Sequence, residues 1–122
     1  MKRLTASYAL LAGLSLGLLS SDRTAAAEEP VDYQAAVAPL LQEHCAACHG
    51  ADARESGLRL DSGAAVLRGG DRGAAVVPGD PEQSLLYRAL VGDDDLPRMP
   101  LDEPPLPAEV IELVKRWIAA GA

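Results

Sequence analysis

Five residues, Cys45-Ala46-Ala47-Cys48-His49, carry the most specific chemistry in the sequence. Cysteines three positions apart lie about one helical turn from each other, so their sulfurs stand side by side. C-x-x-C-H is the attachment signature of a c-type haem. Each thiol adds to one vinyl group on one edge of the porphyrin, and His49 then puts a ring nitrogen on the iron, imidazole being the usual proximal ligand. Competing chemistries fit less well. A disulfide between Cys45 and Cys48 would close a short, strained ring, and such pairs are usually redox-active. A thioredoxin-like site wants a βαβ context, which the flanking sequence lacks. Zinc wants four ligands, and Cys45, Cys48, His44 and His49 are too crowded to close a tetrahedron alone.

Haem iron in an electron carrier usually has a ligand on each face. Met99 is the first candidate for the second position. It lies far from His49 in sequence, between Arg98 and Pro100 in a charged, proline-stiffened loop where packing in a core explains a methionine poorly. A thioether is a known partner of histidine in electron-transfer haems. His44 competes, but it directly precedes Cys45 and is held on the proximal side, so it reads as a partly exposed helix residue. Arg59, Arg68, Arg72, Arg88 and Arg98 could pair with haem propionates; Arg72 and Arg98, in loops beside glycine or the candidate ligand, are favoured.

The 122 residues allow one small domain. Lys2 and Arg3, an uncharged and mostly apolar run at residues 8–19, and Ala25-Ala26-Ala27 read as an export signal with its cleavage site. Residues 1–27 are thus expected to be a signal peptide and residues 28–122 the mature domain. The apolar run is shorter than the ~20 residues of a membrane span, although an uncleaved anchor stays open. The signal takes Lys2, Arg3, Arg23 and Asp22 with it, so 95 residues remain, with 8 basic and 17 acidic side chains and a net charge of −9. That balance argues against nucleic acid or an anionic membrane surface and favours redox partners with a basic docking face. Export and haem attachment support each other, because bacterial c-type haem is joined outside the cytoplasmic membrane, and the motif uses both cysteines of the protein. The expected core is thin, with no Phe and only Tyr33, Tyr87 and Trp117 as aromatics after residue 27. A small domain of this kind often needs a staple, and a covalent haem would supply one.

The elements that position these residues read as helical. Tyr33, Val37, Leu40 and Leu41 recur at helical spacing after a capping Asp32. Pro39 either kinks this helix or moves its start. The helix is expected to run into the motif and stop at Gly50. Residues 51–80 read as loop, with a weak strand signal at Leu58 and Leu60 and a short helix at residues 62–67 closed by Gly69-Gly70. The glycine-rich stretch at residues 69–73 lacks the Gly-Lys-Ser/Thr ending of a phosphate loop and suits close backbone approach to something flat. Asp80-Pro81-Glu82-Gln83 signals a helix start, and Gly92 its end. Asp93-Asp94-Asp95 then opens a proline-rich loop and reads as solvated turn rather than a calcium site. A last helix over residues 107–120 has an apolar face of Val110, Ile111, Val114, Trp117 and Ile118.

Taken in order, the motifs give the chain a resemblance to the planctomycete-type cytochrome c domain, a branch of class I cytochrome c, over residues 33–122. They are Cys45-Ala46-Ala47-Cys48-His49-Gly50, Gly57-Leu58-Arg59-Leu60-Asp61-Ser62, Gly69-Gly70-Asp71, Val77-Pro78-Gly79-Asp80-Pro81 with Ser84-Leu85-Leu86, Arg98-Met99-Pro100, and Arg116-Trp117-Ile118 with Gly121-Ala122. The resemblance implies an all-α fold with crossed N- and C-terminal helices around a covalent haem and long loops. It also implies that Tyr33, Val37 and Leu41 pack against Val114, Trp117 and Ile118, and that His49 and Met99 are the axial ligands. In this family the domain often opens a longer protein, and the activities of those larger proteins are not carried over.

The expected function is periplasmic electron transfer by one haem c, held through Cys45 and Cys48 with His49/Met99 ligation, in a soluble non-enzymatic carrier. Two alternatives belong to other classes. A labile Met99 would make a ligand sensor or peroxidase-like enzyme, although no distal histidine or acid–base pair is evident. A docking role would make the domain the electron inlet of a larger oxidoreductase.

Overall fold

The structure, a computed structural model, describes residues 28–122; the expected signal peptide, residues 1–27, lies outside the described residues. The chain is helical, with no β-strand among the described residues beyond isolated bridges such as His49 with Arg54. In order come a π-helical turn at Tyr33–Val37, α1 (Ala38–His44), a 3₁₀ turn at Glu55–Gly57, α2 (Gly63–Arg68), a 3₁₀ turn at Pro81–Gln83, α3 (Leu85–Val91) and α4 (Ala108–Ala119). Leu58 and Leu60 form no strand; they point inward from a loop, Leu60 fully. No helix among the described residues is long and apolar enough to cross a membrane.

Pro39 decides how the first helical segment is built. Proline has no N–H, and its ring collides with the carbonyl four residues back. The turn before it therefore widens: the Ala38 N–H bonds to Tyr33 O instead of the carbonyl four back. The α-helix proper starts at Ala38, with Pro39 in its first turn where no donor is needed. Asp32 caps the entry, accepting from the Ala35 N–H at 2.7 Å. At the other end α1 stops at His44, with Cys45 already outside helical geometry at ψ −34° and φ −126°. This corrects the expectation of a helix reaching Gly50. The N–H groups of Cys45 and Ala46 both bond to Leu41 O, at 2.9 and 3.0 Å, and the chain leaves the helix as a tight turn.

A similar break precedes α3. Asp80 caps as expected, accepting from the Gln83 N–H at 3.2 Å, and Pro81 follows. The turn they open is nevertheless 3₁₀ and ends at Ser84, so the helix begins at Leu85 rather than at Pro81. Ser84 is fully buried. Its hydroxyl donates to Asp80 O and accepts from the Val77 N–H, both at 2.8 Å. A buried hydroxyl satisfied this way is worth keeping, since leaving the Val77 donor orphaned costs about 1–3 kcal/mol. The price of a continuous helix would be that pair of bonds.

The core gathers Val37, Leu41, Val66, Val114, Trp117 and Ile118 with the leucines of the central loops and α3. Tyr33 lies on Trp117 with ring centroids 5.5 Å apart and planes tilted by 32°, so the first and last helical segments touch. Full burial of a Val, Leu or Ile side chain stabilises by about 1.5–3 kcal/mol as an upper bound. Leu106, 8 % exposed, anchors the proline-rich loop to this core just before α4.

Candidate functional site

The motif residues are placed by the turn that ends α1. The N–H groups of Cys48 and His49 both bond to Cys45 O, at 3.2 and 2.9 Å. This doubles the chain back so that Cys45, Cys48 and His49 all line one cavity. The following loop holds the turn in place, with Glu55 N–H on Cys48 O at 3.0 Å and Leu60 N–H on His49 O at 2.7 Å. Gly50 makes the turn possible. A Cβ built there would sit 2.3 Å from Ala46 O, closer than any real contact. Gly50→Ala is expected to destabilise the protein by about 2–3 kcal/mol through this overpacking, read as a lower denaturant midpoint at unchanged slope. An unchanged midpoint would mean that the turn is not rigid.

His49 is oriented by a partner that carries no sequence signal. Its Nδ1 lies 3.1 Å from the carbonyl of Glu55. A carbonyl only accepts, so in the neutral imidazole Nδ1 carries the proton and Nε2 presents its lone pair as a ligand. The cysteines differ in environment. Cys48 is exposed and Cys45 half-buried, and both are free thiols. Burial, with Cys48 beside it, pushes the Cys45 thiol up to about 11, so it is neutral near pH 7.

The cavity measures about 530 Å³, within the ~300–1,000 Å³ of small-molecule and cofactor sites. Its walls are mostly apolar: Leu58 and Leu60, Leu86 and Leu90, and Leu96 with Met99 from the proline-rich loop. Gly70 and Gly73 contribute bare backbone. Gly69, just before them, has φ +72°, and a Cβ there would meet Gly73 O at 2.3 Å. The close approach that the glycines permit is thus first of all between two strands of backbone within their own loop.

All four residues singled out for chemistry, Cys45, Cys48, His49 and Met99, therefore border the same space. His44, the competing ligand, is the last residue of α1. It also borders the cavity, with its side chain 30 % exposed and Nε2 3.9 Å from a Glu43 oxygen. The arginines separate clearly. Arg59 and Arg88 are engaged by Asp61 and Asp93, whose carboxyls they hold below the usual range chiefly through these hydrogen bonds. Arg72 borders the cavity, while Arg98 is exposed and does not. Carboxylates also border it, from Glu43, Glu55 and Glu103. A more open hollow of about 420 Å³, between the segment before Tyr33 and the end of α4, contains no cysteine, histidine or methionine. Among the described residues, no group of three or more His, Cys, Asp and Glu side chains is arranged to hold a metal ion, and Asp93 to Asp95 form a capped turn.

Two thiols and a tautomer-locked imidazole on one side chain cluster, a thioether from a distant loop, and apolar walls fit a covalently held tetrapyrrole. A family model described as Planctomycete cytochrome C matches residues 45–103. The match begins at the first motif cysteine and ends beyond Met99. No curated protein and no solved structure matches the chain. Cytochrome c domains transfer electrons through a covalent haem c, and that general activity comes with the match. From the motif through the Met99 loop, residues 45–103 match the planctomycete-type cytochrome c domain.

Proposed function

We propose that the protein is a small exported electron carrier with one haem c in the cavity described above. Cys45 and Cys48 would hold it through thioether bonds, and His49 Nε2 and the Met99 sulfur would take the axial positions. The observation that carries this reading is the convergence of the motif residues and Met99, 50 residues further along the sequence, on one apolar cavity of about 530 Å³. The bound group supplies a one-electron iron couple. The protein holds His49 in one tautomer through Glu55 O, lines the cavity with the leucines of α3 and the loops, and brings Arg72 to its border, where a guanidinium would pair with a propionate. Such burial and ligation set the potential. The sequence of residues 1–27 supports export to the periplasm, with residues 28–122 as the working domain.

Glu43, Glu55 and Glu103 at the cavity, on a chain of net charge −7 before any cleavage, suit a redox partner with a basic face. Electron transfer to such a partner is expected to slow several-fold between low and physiological ionic strength as the charges are screened. A rate indifferent to salt would remove the electrostatic docking.

The test of the whole reading is an optical spectrum of the exported protein, oxidised, reduced, and reduced under carbon monoxide. A c-type spectrum indifferent to carbon monoxide, with the iron–methionine charge-transfer band in the oxidised form, is expected. A c-type spectrum that shifts with carbon monoxide would turn the reading toward a ligand sensor or haem enzyme. A colourless protein from a host that attaches haem would overturn both.

A further inference from the structure

Met99 reaches the cavity from a loop that is docked on α3 at two points. Helix α3 ends at Val91, and the last carbonyls of a helix have no partner within it. Gly92 N–H takes Arg88 O at 3.1 Å, and Met99 N–H takes the next one, Ala89 O, at 2.9 Å. The residue that presents the candidate ligand is thus itself a cap of the helix whose leucines wall the cavity. Between these bonds the chain makes a turn organised by Asp93. One carboxylate oxygen accepts from the Asp95 N–H at 2.9 Å, and the other accepts from Arg88 Nε at 2.7 Å. Leu96 N–H closes the turn on Asp93 O at 3.1 Å. Arg72 reaches the same turn, its Nη1 3.4 Å from Asp95 O. Both members of the pair are largely covered, Arg88 30 % and Asp93 20 % exposed.

We propose that the Arg88–Asp93 ion pair is a latch that holds the Met99 loop against α3 and so keeps the methionine at the cavity. The pair touches neither haem nor substrate; it is a positioning device acting through the turn. Without it, the loop beyond Gly92 keeps one backbone bond to α3, at Met99, besides the longer contact of Arg72 with Asp95 O, and the Met99 bond opens with the ligand. The consequence is more frequent departure of the methionine and faster entry of an outside ligand. This rests on Met99 being an axial ligand.

Asp93→Asn is the cleanest probe, since an amide oxygen still accepts from the Asp95 N–H, while the charge and the acceptor that faces Arg88 Nε are both removed. Arg88→Gln removes the other partner. The haem-loaded proteins are compared by the association rate of imidazole with the oxidised form, alongside the iron–methionine band. Each single variant is expected to bind imidazole about fivefold faster, the scale of a largely covered surface ion pair, and the double variant no faster than either. The denaturant midpoint read from Trp117, which packs on Tyr33 away from this loop, should barely move. Unchanged rates in both variants, or additive effects in the double variant, would overturn the latch while leaving the ligation intact. A wild-type protein lacking the iron–methionine band would instead overturn the reading of Met99, and the latch with it.

Discussion

Freed of haem, a Cys45→Ala/Cys48→Ala chain is expected to lose fixed tertiary structure while keeping much of its helical content. The cavity that the motif and the Met99 loop enclose is about 530 Å³. At ~24 cal/mol per Å³, the cost seen for dry cavities in protein cores, leaving it empty would cost ~13 kcal/mol. Water entering from the open side lowers that cost, because it replaces a void by hydrated leucine walls. Even half of the figure is comparable with the entire stability of a domain this size, ~5–14 kcal/mol at 0.05–0.15 kcal/mol per residue. The rest of the core offers little reserve, with three aromatic side chains among residues 28–122 and helices of six or seven residues before α4. Isolated helices that short do not persist in water. The expected readouts are a lost near-ultraviolet signal from Trp117, binding of a hydrophobic dye, and no cooperative thermal transition. A haem-free chain that melts cooperatively within about 5 °C of the loaded protein would show that the apolar cluster around Val37, Val114 and Ile118 suffices alone.

What could be read from the sequence was whatever one side chain decides locally. Asp32 and Asp80 cap where their types predicted, because a carboxylate reaches a backbone N–H three residues on whatever the rest of the chain does. Gly92 ends α3 in a left-handed conformation that other residues adopt at a cost. The misplaced boundaries were those that distant parts of the chain decide. α1 stops at His44 instead of reaching Gly50: the Cys45 and Ala46 N–H groups share Leu41 O, and the turn that follows is held by Glu55 and Leu60 from the next loop. The start of α3 slips to Leu85 because Ser84 is pulled inward to Val77, a contact that no periodicity reveals. The site divides in the same way. Cys45, Cys48, His49 and Met99 stood out as candidates because their side chains are rare and chemically specific. Glu55 acts through a carbonyl that every residue possesses, so nothing in its type marks it. Arg88 and Asp93 lie on either side of a helix end, outside the spacing at which helical ion pairs are sought, and of the two favoured arginines Arg72 borders the cavity while the exposed Arg98 does not.

Replacing Met99 by alanine should separate holding the haem from tuning it. On the ligation proposed above the group would stay attached, since Cys45, Cys48 and His49 are untouched and the turn that carries them is built by α1 and the loop through Leu60. The backbone bond from residue 99 to Ala89 O is also available to alanine, so the loop keeps its course. What disappears is the thioether. A methionine opposite histidine raises the potential of a cytochrome c, because a soft sulfur donor favours the ferrous state over the ferric. Axial ligands command a span of ~0.8 V among haem proteins, and loss of this one is expected to lower the potential by on the order of 0.2 V. The iron–methionine band should vanish, and the reduced protein should take up carbon monoxide at the position left open. His44 provides the discriminating outcome. It borders the same cavity and is partly covered. If it is the second ligand, Met99→Ala leaves the potential and the carbon monoxide response where they were, and His44→Ala produces the changes instead. If Met99 is the ligand, His44→Ala changes neither, because a residue at the end of α1, one position before Cys45, shares its anchorage with His49 and has no free length of chain with which to reach the far face.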